Sequence, residues 1–218
     1  MDPVFSQLTM TASSAMLLCA LVVLWRRHMA AYVTAFQWQS VALGAVGVTV
    51  AWRGHVPELY IVALLILGLK ALVVPRMLSR MEARFPSERE SRPLVNTEMS
   101  LLVSAALAVV AYEVARPLTA VVNLPTRGSL PLALALILVS LFVVVSRRLA
   151  LTQIVGFLML ENGIGLLALL GAYGVPLVVE LGVFLDVMLG VLVMQIIVNR
   201  IHESREPAGA VPSAGQDH

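Results

Sequence analysis

The chain has 218 residues, 59% of them hydrophobic and 13% charged, with a formal net charge of +2 at pH 7. A soluble domain carries about 25% charged residues, so a water-exposed globular fold is excluded, and so small a net charge implies no nucleic-acid partner. The single cysteine, Cys19, lies in an apolar run, which rules out an intrachain disulfide and a cysteine metal site.

The apolar runs are long and continuous, not alternating. They read as spanning helices of about 20 residues in a lipid bilayer and not as barrel strands. Seven are expected, approximately Val4–Trp25, Ala30–Trp52, Glu58–Leu78, Met99–Ala115, Leu130–Ser146, Ala150–Gly171 and Leu177–Val198. The first starts from Met1-Asp2-Pro3 without a basic region and is followed by Arg26 and Arg27. It reads as an anchor with its N-terminus outside, not as a cleaved signal. Pro57 stands where the third segment begins, a position that tolerates a missing N–H, and Glu58 suits the positive end of that helix. Within the third segment Lys70 is the only lysine of the chain, and Pro75 should free the carbonyl of Ala71. Arg80–Asn96 is the long charged loop. Arg116-Pro117 ends the fourth segment, with Glu113 as an interfacial carboxylate near that end. Ser129-Leu130-Pro131 reads as a cap and a helix start, and Pro176 marks the start of the seventh segment.

Gln153, Phe157 and Glu161 recur at every fourth residue of the sixth segment. Gln153 is placed either to bridge water towards Glu161 or to bond between helices. Gly156, Gly163, Gly165, Gly182 and Gly190 in the last two segments read as close-packing positions. Residues 203–218, rich in Pro, Ala, Gly and Ser, read as a disordered cytoplasmic tail.

Charge sets the orientation. Arg26, Arg27, Arg76, Arg80, Arg84, Arg89, Arg92, Arg147, Arg148, Arg200 and Arg205 fall on one side, and only Arg53, Arg116 and Arg127 on the other. The richer side is the cytoplasm. The expected fold is an all-α integral membrane protein with seven transmembrane helices, its N-terminus outside and its C-terminus cytoplasmic.

Four ionisable groups remain inside the membrane: Lys70, Glu161, Glu180 and Asp186. A charge there costs at least about 2.5 kcal/mol on insertion scales. Glu161 lies 13 residues from Arg148, about 20 Å along its helix. Asp186 lies 14 residues from Arg200, about 21 Å. The two carboxyls are therefore expected at matching depth on neighbouring helices. A desolvated carboxyl can take up and release a proton as its surroundings change, or it can stay neutral and bond two helices together. Lys70 suits either a relay or a side chain that snorkels to the inner face. Glu180 stands in the second turn after Pro176. His28, His55, His202 and His218 are scattered, and no phosphate loop or metal-ligand spacing occurs. The expected chain performs no covalent chemistry.

The run from Gln153 through Glu161-Asn162 to Leu166, the run from Pro176 through Glu180 and Asp186 to Gly190, and Lys70-Ala-Leu-Val-Val-Pro75 resemble the E component of hydrogenase-4. This is a membrane subunit of group 4 hydrogenase and formate hydrogenlyase complexes. The last three helices resemble the K subunit of complex I and the C subunit of Mrp-type antiporters. The resemblance implies that Glu161 and Asp186 take the places of two membrane-embedded glutamates, the second one methylene shorter here. It divides the chain into a four-helix region, residues 1–128, a K-like three-helix region, 129–202, and the tail. It implies a non-catalytic subunit on the proton or Na+ path of a bacterial or archaeal cytoplasmic (inner) membrane complex. The partners would be antiporter-like subunits, a membrane anchor like the complex I H subunit, and a soluble arm carrying iron–sulfur clusters and a [NiFe]-type site. No cofactor is expected in this chain. The alternatives are a non-conducting spacer in the same membrane arm, a subunit of an Mrp-type antiporter, and a free-standing secondary transporter.

Overall fold

The computed structural model describes residues 3–26, 28–84, 95–121 and 126–172. Every regular element among them is helical. In chain order these are α1 (Pro3–Trp25), α2 (Met29–Gly54), α3 (Glu58–Leu65), a π-helical stretch (Ile66–Val73), α4 (Val74–Arg84), α5 (Thr97–Val121), a 3-10 turn (Arg127–Ser129), α6 (Leu130–Ser146) and α7 (Ala150–Ala172). Six helices are long and apolar enough to cross a membrane, α3, the π stretch and α4 forming one of them over Glu58–Arg80. The expected seventh segment, Leu177–Val198, lies outside the described residues, as do Pro176, Gly182, Gly190 and the tail.

The centre of the bundle is α7, which packs against α6 and α2; α1 bridges α2 and α6, and α5 packs on α6. Their buried side chains follow helical spacing: Leu43, Val46 and Val50 in α2, Leu136, Val139 and Val143 in α6, and Met159, Leu166 and Leu170 in α7. Large apolar side chains also point outward, with Leu64 72% and Leu102 65% exposed. Water would penalise such a surface and lipid does not. Lipid tails are as apolar as leucine, so helices associate through close fit instead of a hydrophobic drive. Gly156 and Gly163 supply that fit. A Cβ on Gly156 would come 2.9 Å from Val143 Cγ1 and 3.1 Å from the Val144 backbone nitrogen, and one on Gly163 would come 3.0 Å from Ile137 Cγ1. Position 156 meets 143–144 and position 163 meets 137, so α6 and α7 run antiparallel. Gly165 lies on the other side of α7, where its Cβ would be in ordinary contact with Leu43 of α2, at 3.6 Å.

Four boundaries differ from the sequence reading. Helix α5 passes through Pro117 and ends at Val121, because a proline so near a helix end removes one intrahelical bond without stopping the chain. The Thr119 hydroxyl donates to the Arg116 carbonyl there, at 2.9 Å. Ser129 makes no side-chain cap; it closes the 3-10 turn, and Pro131 occupies the first turn of α6. Helix α4 runs to Arg84, into the expected loop, since Arg, Met, Leu and Glu favour helix. Helix α2 runs to Gly54 and is closed by His55 in the left-handed region, φ 52°, whose N–H donates to Ala51 O.

The fifth difference is the π stretch. Pro75 has no N–H to offer Ala71, as expected. The adjustment begins upstream, where the Val74 N–H bonds the Leu69 carbonyl across five residues. The widened turn changes which side chains share a face. Ile66 and Lys70, four residues apart, share a face as they would in an α-helix; the widened turn brings buried Ala71 onto it, while Leu69 and Val73 are exposed.

Candidate functional site: a buried lysine–glutamate pair

Glu161 lies 11 residues after Ala150 and 11 before Ala172, at the midpoint of α7. Lys70 lies 12 residues after Glu58, deep in its own helix. The two meet: Lys70 Nζ is 3.1 Å from Glu161 Oε1, and both side chains are under a tenth exposed. Lys70 therefore does not reach for the inner face; it lies on the buried face of Ile66 and meets α7. Removing one partner of such a buried pair leaves an uncompensated charge, at a cost of about 3–5 kcal/mol.

Asn162, the next residue of α7, is rotated by about 100° from Glu161 and joins the pair to α2. Lys70 Nζ donates to Asn162 Oδ1 at 3.1 Å. Asn162 Nδ2 donates to Gln39 Oε1 and to Ser40 Oγ, each at 3.1 Å. Gln39 Nε2 donates to the Met16 carbonyl of α1 at 3.2 Å, and Ser40 Oγ donates to the Phe36 carbonyl at 3.0 Å. Gln39, Ser40 and Asn162 are fully buried. The network thus crosses from α1 through α2 and α7 to the π stretch. The Met16 and Phe36 carbonyls can only accept, and this sets the orientation of the Gln39 amide, the Ser40 hydroxyl and, through them, the Asn162 amide.

A second buried cation, Arg147, stands at the C-terminus of α6. Its Nη2 donates to the carbonyls of Val23 and Leu24 in α1, both at 2.9 Å, and its guanidinium sits 5.7 Å from the Tyr32 ring centroid. Carbonyls at a helix end lack intrahelical donors and carry partial negative charge. Tyr32 donates to Arg26 O at 2.8 Å, and Gln153 Nε2 donates to Arg147 O at 2.8 Å. Arg147 is thus buried against α1, whereas Arg148 is exposed.

Of the four ionisable groups read from the sequence, Lys70 and Glu161 come together, and Glu180 and Asp186 lie outside the described residues. Gln153 bonds the end of α6, not Glu161. It and Phe157 are exposed while Glu161 is buried, since eight residues of α-helix advance the face by about 80°. Glu113 is exposed and pairs with Arg116 at 3.4 Å. The sequence reading passed over Gln39 and Ser40. The signal was present: two adjacent polar residues in the middle of an apolar run.

No family model and no solved structure matches the chain. It is 40% identical over 201 residues to the Mycobacterium tuberculosis protein Rv0085, described only as uncharacterized, with 90% of each chain covered. It is 29% identical over 132 residues to hydrogenase-4 component E of Escherichia coli K12, and equally to that of Shigella flexneri. These matches cover 61% of this chain and span 61% of the relative's length. The chain is a multi-pass helical membrane protein that belongs to the family of Rv0085, with a more distant likeness to hydrogenase-4 component E.

Proposed function

We propose that this chain is a non-catalytic membrane subunit of a complex I-like, hydrogenase-type assembly, in which Lys70 and Glu161 relay protons along the ion path. The observation that carries this reading is the buried Lys70–Glu161 pair at the midpoint of α7. The component E likeness supports the assembly. The two groups can exchange charge for neutrality in one step. A proton moving from Nζ to Oε1 turns an ammonium–carboxylate pair into an amine and a carboxylic acid. The attraction that held them falls away, and the acid can pass its proton on. Glu180 and Asp186 extend the path on the seventh helix of a chain whose N-terminus faces outside. The partners are antiporter-like subunits, an anchor like the complex I H subunit, and a soluble arm with iron–sulfur clusters and a [NiFe]-type site, in a bacterial or archaeal inner membrane. A formate-linked complex is one form of this assembly.

The test has two arms. The tagged full chain should co-purify with other membrane subunits and a redox arm; a homo-oligomer that exchanges ions alone in liposomes contradicts the assembly. Reporter fusions should place Arg80–Asn96 inside.

A second reading is a non-conducting spacer. The hydrogen bonds that join Lys70, Asn162, Gln39, Ser40 and Met16 favour it, because such a network also pins four helices. A variant with both charges removed, Lys70→Met with Glu161→Gln, separates the two: a spacer keeps coupled proton uptake and a relay loses it.

A further inference from the structure

We infer that the Lys70 ammonium is a tethered cation filling an oxygen site made for a monovalent metal ion, and that it keeps sodium out of this chain. Lys70 Nζ has the two oxygens Glu161 Oε1 and Asn162 Oδ1 at 3.1 Å each. A hard cation takes the same ligands, carboxylate and amide oxygens. Asn162 could in principle turn either its oxygen or its nitrogen to this point. The choice is made from behind. Gln39 turns its Nε2 to Met16 O, a carbonyl that only accepts, so Oε1 is the end that faces Asn162, and Ser40 has given its hydroxyl proton to Phe36 O and offers a lone pair. Both therefore require the nitrogen of Asn162, as the 3.1 Å bonds record, and its oxygen is left facing the cation. Gln39 and Ser40, held by the Met16 and Phe36 carbonyls, thus set the site for positive charge through Asn162.

A covalently held ammonium competes at the high effective concentration of an intramolecular ligand. A sodium ion entering beside it would add a second charge in a region where one already costs at least about 2.5 kcal/mol. Protons escape this exclusion, since they travel on the Lys70 and Glu161 groups themselves. Such selectivity presupposes the ion path proposed above, but sodium binding is read on the chain alone, so either can fail without the other.

The test is thermal unfolding of the full chain in detergent, in sodium chloride and in choline chloride. Raising sodium to about 200 mM should leave wild type unchanged relative to choline and raise the Tm of Lys70→Met by several degrees. Adding Glu161→Gln to that variant should abolish the gain. A Lys70→Met protein indifferent to sodium overturns the inference. So does a wild type that sodium stabilises in a Glu161-dependent way. If Lys70→Met is recovered only as aggregate, the comparison becomes a rescue. More folded protein must then appear when membranes are solubilised in sodium than in choline, and equal recovery overturns the inference.

Discussion

Asn162 Nδ2 donates to Gln39 Oε1 at 3.1 Å, and this contact between α7 and α2 decides which end of the Asn162 amide meets Lys70. The consequence is testable by mutation at Gln39. Gln39→Leu keeps the approximate volume but removes the acceptor from Asn162. A buried donor that loses an acceptor costs about 1–3 kcal/mol, so the full chain should melt earlier by a corresponding margin. The neighbouring exposed Trp38→Phe should be nearly neutral in the same melting assay.

The charge pair should behave as a unit. Lys70→Met and Glu161→Gln each leave one buried group without its counter-charge, so each should cost about 3–5 kcal/mol. The double variant should cost clearly less than the sum. Denaturation midpoints of the four proteins measure the coupling; additive losses mean that the 3.1 Å approach contributes nothing to stability.

Close approach of α6 and α7 predicts a ranked glycine series. Gly156→Ala places a Cβ against the Val144 backbone nitrogen at 3.1 Å, and backbone cannot step aside. Overpacking of this kind costs about 1–3 kcal/mol. Gly165→Ala meets only Leu43, at 3.6 Å, and also gains about 1 kcal/mol in helix propensity. Thermal aggregation of detergent-solubilised chain should therefore come earlier for Gly156→Ala and no earlier for Gly165→Ala.

Arg147 should not tolerate lysine. One Nη2 serves the carbonyls of both Val23 and Leu24 while the planar guanidinium lies against Tyr32. A lysine lacks the rigid fork that holds this arrangement. Hydrogen bonds from a charged donor are worth about 1.5–3 kcal/mol, so Arg147→Lys should destabilise by that order. Arg148→Lys, at an exposed position, should leave the melting temperature unchanged.

The helices were legible because each apolar run is long enough to span lipid and ends at Pro, Gly or charge. The first boundary, Trp25, and the last residue of α6, Ser146, fall where expected. Pro117 was misleading because proline at a helix end is a weaker stop than proline in its middle. Lys70 and Glu161 stood out singly, since a charge in an apolar run demands a reason. Their pairing did not, because the two lie 91 residues apart on different helices and nothing in a single sequence says which helices pack together. Gln39 and Ser40 were passed over because uncharged polar groups in a span are less costly than ions, so their presence raised no alarm. Arg147 was grouped with the inner arginines by count, and nothing in the count shows that one of two adjacent arginines is buried on the carbonyls of α1.

The central claim is that Glu161 changes protonation while the assembly turns over. The direct measurement is proton uptake per redox turnover in vesicles that hold the whole complex. Wild type is compared with Glu161→Gln and with the charge-balanced Lys70→Met, Glu161→Gln pair. Glutamine retains a carbonyl acceptor but has no carboxyl proton to release. The charge-balanced protein should assemble and turn over but take up severalfold fewer protons per electron, and Glu161→Gln should fall at least as far. If both variants assemble and take up protons at the wild-type ratio, Lys70 and Glu161 only hold helices together, and the relay is contradicted.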